Sequence, residues 1–276
     1  MMKEFDEIVV AQSGIPSLII SVILMTVIPV CFFIYWRRKH KKQTKIGWLI
    51  AGAAGFLVSA RVLELGVHYF CIVAENPVSR FINGNSAAFI LYGITMAGLF
   101  EECGRYIVLK YILKKDRTRE NAVMYGIGHG GIEVLTVVLP LMITYLAVAV
   151  LFSRGDIKSA LTALNITEET ASAALPSVLA AASFDCSMMA MNVMERIFAM
   201  LLHTGLTVIV YDGAVNGRRT ALPAAVLLHM LMDTFPAMYQ RGLVPLWSVE
   251  VWEAFWTVTV LLIAKGAYRK CGTSES

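Results

Sequence analysis

The sequence predicts an all-α integral membrane protein, a polytopic bundle of about seven transmembrane helices. Three observations predict it. Of 276 residues, 57% are hydrophobic and only 16% are charged, against roughly one-quarter charged in soluble domains. Seven apolar stretches reach about the 20 residues that cross a hydrocarbon core. The basic residues gather in alternate connections between those stretches, as membrane topology requires.

The stretches run in order over Ile15–Tyr35, Ile46–Phe70, Ala87–Leu113, Ala122–Phe152, Met188–Tyr211, Ala221–Met238 and Val249–Ala264. The first is preceded by MMKEFDE, which lacks a basic leader, and is followed by a basic cluster. It therefore reads as a retained helix rather than a cleaved signal peptide. The last two are short. Residues 153–187 form an outer loop with one short helix, whose start is signalled by Thr167-Glu168-Glu169. The whole chain, 1–276, reads as a single transmembrane domain.

One set of connections holds Arg37–Lys45, Lys114–Arg119, Arg218-Arg219 and the tail residues Lys265, Arg269 and Lys270. The other holds Lys3, Arg80, Arg154, Lys158 and Arg241. The positive-inside rule places the first set in the cytosol, with the N-terminus outside and the C-terminus inside. The formal net charge of +4 reflects this sorting. The expected partners are membrane lipids, with no nucleic acid. No CxxC pair is present, which removes zinc-ribbon and redox readings. Cys71 and Cys186 fall on the same predicted outer side and either pair or remain thiols.

Ionisable residues inside the spans carry the functional signal. Glu101, Glu102, Arg105, His129, Glu133, His203, His229 and Asp233 lie in stretches that otherwise read as membrane helix. Each costs about 3 kcal/mol on insertion scales, so such residues usually mark a site. At a rise of about 1.5 Å per residue, all eight fall roughly 10–18 Å from the cytosolic ends of four spans. Glu101/Arg105, His129/Glu133 and His229/Asp233 are i, i+4 pairs, so each helix aims two groups at one face. Gly126, Gly128, Gly130 and Gly131 surround His129 and make room either for a substrate or for a neighbouring helix. Arg61, Glu64, Glu195 and Arg196 lie farther out and read as mutually neutralising ion pairs. The Met188–Met200 methionines read as adaptable packing.

EECGRY, GIGHGGIE, ERIFAMLLH and HMLMD follow one another, one per helix, over roughly residues 87–238. In this order they resemble a superfamily that contains the type II CAAX prenyl endopeptidases, the CPBP proteins and the PrsW proteases, and most closely its bacterial YhfC branch. The resemblance implies an intramembrane endopeptidase of the bacterial plasma membrane, and adds a membrane-protein or peptide substrate to the expected partners. In it, Glu101 or Glu102 would act as general base on water, helped by His203 or His129. Arg105 would hold a carboxylate, and His229 with Asp233 would orient the water or stabilise the oxyanion. The pattern departs from its relatives in two places. The first motif is spaced EExxR, and HGGIE leaves His129, Glu133 or both for the central position. No HExxH motif is present, so the primary expectation is a metal-free glutamic mechanism without cofactor. The alternative is zinc held by His129, His203 and His229 with a glutamate. A proton-coupled transporter and a non-catalytic scaffold are the other readings of the same residues.

Overall fold

The computed structural model describes residues 2–271. Every element in them is helical. Seven helices are long and apolar enough to cross a membrane: α1 (Gly14–Lys39), α2 (Ile46–Val73), α3 (Ser86–Ile112), α4 (Arg119–Ser153), α5 (Cys186–Asn216), α6 (Ala221–Gln240) and α7 (Leu246–Lys270). Their outer surfaces carry exposed Ile23, Val58, Val62, Leu91, Leu227 and Leu262, large apolar side chains suited to lipid rather than water. Short π-helical turns interrupt α2, α3 and α4. The one in α4, Val134–Val138, ends two residues before Pro140, whose missing N–H prevents the regular hydrogen-bond ladder from continuing.

Two of the expectations about the helices need correction. The last two spans are longer than the apolar runs alone indicate. Helix α6 continues to Gln240, and α7 starts at Leu246 and runs through its basic tail to Lys270. Second, residues 153–187 hold two helices. Ile157–Ala163 is capped by Asp156, whose Oδ1 accepts from the Ser159 amide at 3.1 Å. Ala171–Ser183 starts after an N-cap at Thr170 rather than at Thr167. Cys71 and Cys186 are both free thiols.

The chain divides into two compact units, one of residues 1–28 and 134–196, the other of residues 29–133 and 197–276. In the first, Phe5, Val148, Phe152, Leu161 and Val178 form a buried apolar cluster. The Ala11 amide donates to the Ala182 carbonyl at 2.8 Å, which ties the N-terminal segment to the helix Ala171–Ser183.

The second unit owes its tightness to glycine. A Cβ on Gly52 would lie 2.0 Å from the Tyr125 carbonyl oxygen, and one on Gly128 would lie 2.0 Å from the Leu49 carbonyl oxygen. Helices α2 and α4 thus cross backbone on backbone, as small residues allow in membrane bundles. A Cβ on Gly98 would meet the Met230 side chain at 2.9 Å and the Val226 carbonyl at 3.1 Å, which fixes α3 against α6. Trp252 Nε1 donates to the Leu231 carbonyl at 2.7 Å and the Trp252 ring stacks on Phe235, joining α7 to α6. The Asn121 carboxamide accepts from the Lys45 amide at 2.7 Å and donates to the Asp116 carbonyl at 2.7 Å, pinning the starts of α2 and α4.

Candidate active site

All eight ionisable residues that the sequence singles out fall in the second unit, and they touch one another. They come from four helices: Glu101, Glu102 and Arg105 from α3, His129 and Glu133 from α4, His203 from α5, and His229 and Asp233 from α6. The glycine crossings explain how. They bring α2 against α4 and α3 against α6 closely enough for short side chains to meet across the helices. Gly130 has a separate role. A Cβ there would stand 3.2–3.3 Å from the His203 side chain, so its absence leaves room for that imidazole beside α4.

The two adjacent glutamates have different surroundings. Glu102 and Arg105 are fully buried. Arg105 Nη1 donates to both Glu102 carboxylate oxygens at 2.6 and 2.7 Å, and His229 Nδ1 donates to Glu102 Oε1 at 2.8 Å. Such charge-assisted bonds are the strong ones, and they leave Glu102 fixed. Glu101 instead accepts from His129 Nε2 at 2.9 Å, with His203 Nδ1 3.8 Å from the same oxygen. This overturns the expected Glu101/Arg105 pairing. Positions i+3 and i+4 lie on one helix face, and Arg105 takes the carboxylate three residues back.

His203 links the two halves of the cluster. Its Nδ1 accepts from Arg105 Nη2 at 3.1 Å, which places its proton on Nε2, and Nε2 stands 2.5 Å from Glu133 Oε2. His229 Nε2 stands 3.4 Å from Asp233 Oδ2. The three imidazoles lie in a row, with ring centroids 5.0 Å apart for His129–His203, tilted by 42°, and 5.7 Å for His203–His229, edge-on at 73°. Exposure is graded across the cluster. The side chains of Glu102, Arg105 and His129 are wholly shielded, whereas Glu133 is 19% and Asp233 33% accessible. The cluster is therefore least enclosed on the Glu133–Asp233 side.

Among the described residues, one donor of each of Glu101, His129 and His203 comes within 4.8 Å of the others, from three different helices. Two histidines and a glutamate form a known catalytic zinc donor set that leaves a coordination position open. His129 Nδ1 is buried with no hydrogen-bond partner.

The comparisons with known proteins point the same way. Residues 24–253 match the family described as YhfC intramembrane metalloprotease. This chain belongs to the YhfC family. It is also 29% identical over 244 residues to a Bacillus subtilis (strain 168) protein described as "Uncharacterized membrane protein YhfC", covering 85% of this chain and 88% of that one. No solved structure matches it. The chain is thus a multi-pass membrane protein of a family described as metalloproteases.

Of the alternative zinc set of His129, His203 and His229 with a glutamate, the donors that converge within 4.8 Å among the described residues are those of His129, His203 and Glu101, while both His229 nitrogens face carboxylates, Glu102 and Asp233. The outer ionisable groups are corrected. Glu64 pairs with His68 at 3.2 Å rather than with Arg61, while Glu195 and Arg196 do pair with each other. Sequence reasoning passed over His68, and it passed over Glu250 and Glu253, which are buried in α7. The last two are acids three residues apart in a membrane span, the same costly signal that marked the site residues.

Proposed function

We propose that this chain is an intramembrane endopeptidase that hydrolyses a peptide bond of a membrane-embedded or membrane-adjacent substrate. The observation that carries this is the convergence of Glu101, His129 and His203 from three helices within 4.8 Å, braced by a buried Glu102–Arg105–His229 frame. The proposed topology has the N-terminus outside and the C-terminus in the cytosol of a bacterial plasma membrane. The protease core spans about residues 87–238 within one transmembrane domain.

Glu101, His129 and His203 are the residues that would hold zinc. Bound there, zinc would polarise the scissile carbonyl and lower the pKa of water at the open position. The remaining steps fall to the chain's own groups. The Glu133 carboxylate, 2.5 Å from His203 Nε2, favours the proton on that nitrogen, the carboxylate–histidine arrangement that tunes such sites. Glu102, anchored twice by Arg105, fixes His229 through Nδ1. His229 Nε2, only loosely held by Asp233 at 3.4 Å, is placed to donate to the developing oxyanion. Asp233, on the accessible side, orients incoming water.

A second reading has one observation in its favour. The Arg105 guanidinium stands 3.1 Å from His203 Nδ1, a positive charge beside the proposed cation. In this metal-free version Glu101 takes the proton of water directly, with His129 and His203 positioning it. The single-layer contact of all eight residues supports hydrolysis over proton relay, since a relay needs polar groups at successive depths.

The test is cleavage of a library of single-span peptides by the purified full chain in nanodiscs, with metal content measured in parallel. Cleavage with about one zinc per chain, abolished by chelator and restored by zinc, supports the metal-dependent reading. Chelator-resistant cleavage that still requires Glu101 selects the metal-free one. Complete absence of cleavage by folded, lipid-embedded protein overturns both.

A further inference from the structure

A second polar feature lies outside the catalytic cluster. At the ends of α3, α5 and α6 a cavity of about 450 Å³ is lined by Tyr106, Lys110, Ala214, Arg218, Arg219 and Leu222, among others. Three of the ten lining residues are cations, Lys110, Arg218 and Arg219. The pocket is held in shape. Lys110 Nζ donates to the Tyr106 hydroxyl at 2.7 Å. Buried Asp212 accepts from Arg218 Nη1 at 3.2 Å and from Asn216 Nδ2 at 2.8 Å. Gly217 turns the chain at φ +73°, the left-handed conformation that glycine adopts without strain. A Cβ on Gly213 would meet the Ala221 Cβ at 2.8 Å, so the α5–α6 turn is also tightly closed.

Helix register aligns the pocket with the active site. Ala214 follows His203 by about three turns, and Leu222 precedes His229 by about two. At about 100° per residue, both return to within roughly 20° of the face that carries the histidine. On α3, Tyr106 lies four residues, about one turn, beyond Glu102. Through Ala214 and Leu222 the pocket reaches the faces of α5 and α6 that carry the histidines, at the helix ends.

Those ends carry the basic connections that the positive-inside rule assigns to the cytosol. By the same rule most membrane proteins bring Lys and Arg to the cytosolic flank of their spans, and this pocket repels them. We propose that the pocket selects substrates by the charge of the cytosolic flank, and that it takes a polypeptide segment rich in Asp and Glu next to the span that is cut. The proposal rests on the endopeptidase reading and names the substrate class of that same site. Lys110 and Arg219 act in it as specificity determinants.

The test uses the full chain in nanodiscs of neutral lipid and two single-span peptides identical except for an Asp-Glu-Asp or a Lys-Arg-Lys cytosolic flank. Binding is measured to the Glu101→Gln variant and cleavage with the wild type. The acidic-flank peptide should bind about tenfold more tightly, the yield of two to three partly screened ion pairs. The preference should fall as salt is raised. In a Lys110→Glu/Arg219→Glu double variant with an unchanged melting temperature it should invert. Preferential binding that inverts in this way supports the pocket even if neither peptide is cut, in which case only the protease reading fails. Equal binding and equal cleavage of the two peptides overturns the pocket and leaves the protease reading standing. Lys110- and Arg219-dependent stabilisation by phosphatidylglycerol, without any peptide preference, assigns the pocket to lipid and also overturns the proposal.

Discussion

Two groups of glutamate and histidine lie inside the spans of the second unit, and they are built differently. In α2, Glu64 pairs with His68 one turn along at 3.2 Å, and the Tyr92 hydroxyl donates to His68 Nδ1 at 2.7 Å. That group is satisfied by one helix and a single tyrosine, and the His68 side chain is 32% exposed. The Glu101–Glu102 cluster draws on four helices, buries most of its members, and holds three potential metal donors together. A group satisfied within one helix neutralises itself and has nothing left to offer a substrate. A group assembled across helices depends on the tertiary fold, and keeps donors pointing at one another rather than at their own backbone.

The strongest way to break this contrast is to neutralise one acid at a time. Glu101→Gln should reduce cleavage by about 10³-fold or more, since it removes a residue proposed to hold the metal or act as base, while the melting temperature stays close to wild type. If cleavage survives, the assignment of Glu101 fails. Glu102→Gln should act chiefly on stability. Leaving the Arg105 guanidinium buried without its counter-charge costs about 3–5 kcal/mol, visible as a large drop in melting temperature. Equal melting temperatures for the two variants would erase the distinction drawn between the adjacent glutamates. Glu133→Gln should lower zinc affinity or activity by about 10–100-fold, as loss of a histidine's carboxylate partner does, with a correspondingly weaker response to added zinc. Glu64→Gln in the self-contained group should change cleavage less than about twofold and stability by about 1 kcal/mol or less. A large loss of activity there would mean that this group belongs to the machinery.

Much of the architecture was legible in the sequence, and the reasons are physical. Long apolar runs have one solution in a bilayer, so all seven spans were found. Their ends were less legible where polar residues remain helical. The Glu250/Glu253 stretch and the Lys265–Lys270 tail hid both ends of α7. Depth and periodicity selected the eight site residues, because rise and pitch are fixed. The partners were not legible. Periodicity tells that Glu101, Glu102 and Arg105 share a sector of α3. It does not tell which carboxylate the guanidinium takes, because that depends on where His129 and His229 arrive from other helices. The place of Glu101 in the donor set in preference to His229 was hidden for the same reason. The glycines around His129 were visible, but their separate roles, backbone crossing at Gly128 and imidazole room at Gly130, needed the neighbouring helices.

The glycine crossings also bear on how well the site must stay aligned. Helix α2 is locked to α4 through Gly52 and Gly128, and α3 to α6 through Gly98. The two pairs are themselves joined, since a Cβ on Gly104 of α3 would lie 2.6 Å from the Ser59 Cβ of α2. Glu101 rides on one pair and His129 on the other, linked by a bond of 2.9 Å. A slip of roughly an ångström between the pairs would carry that bond beyond hydrogen-bonding range, so the bare backbones that let these helices approach also set how little misalignment the proposed site tolerates.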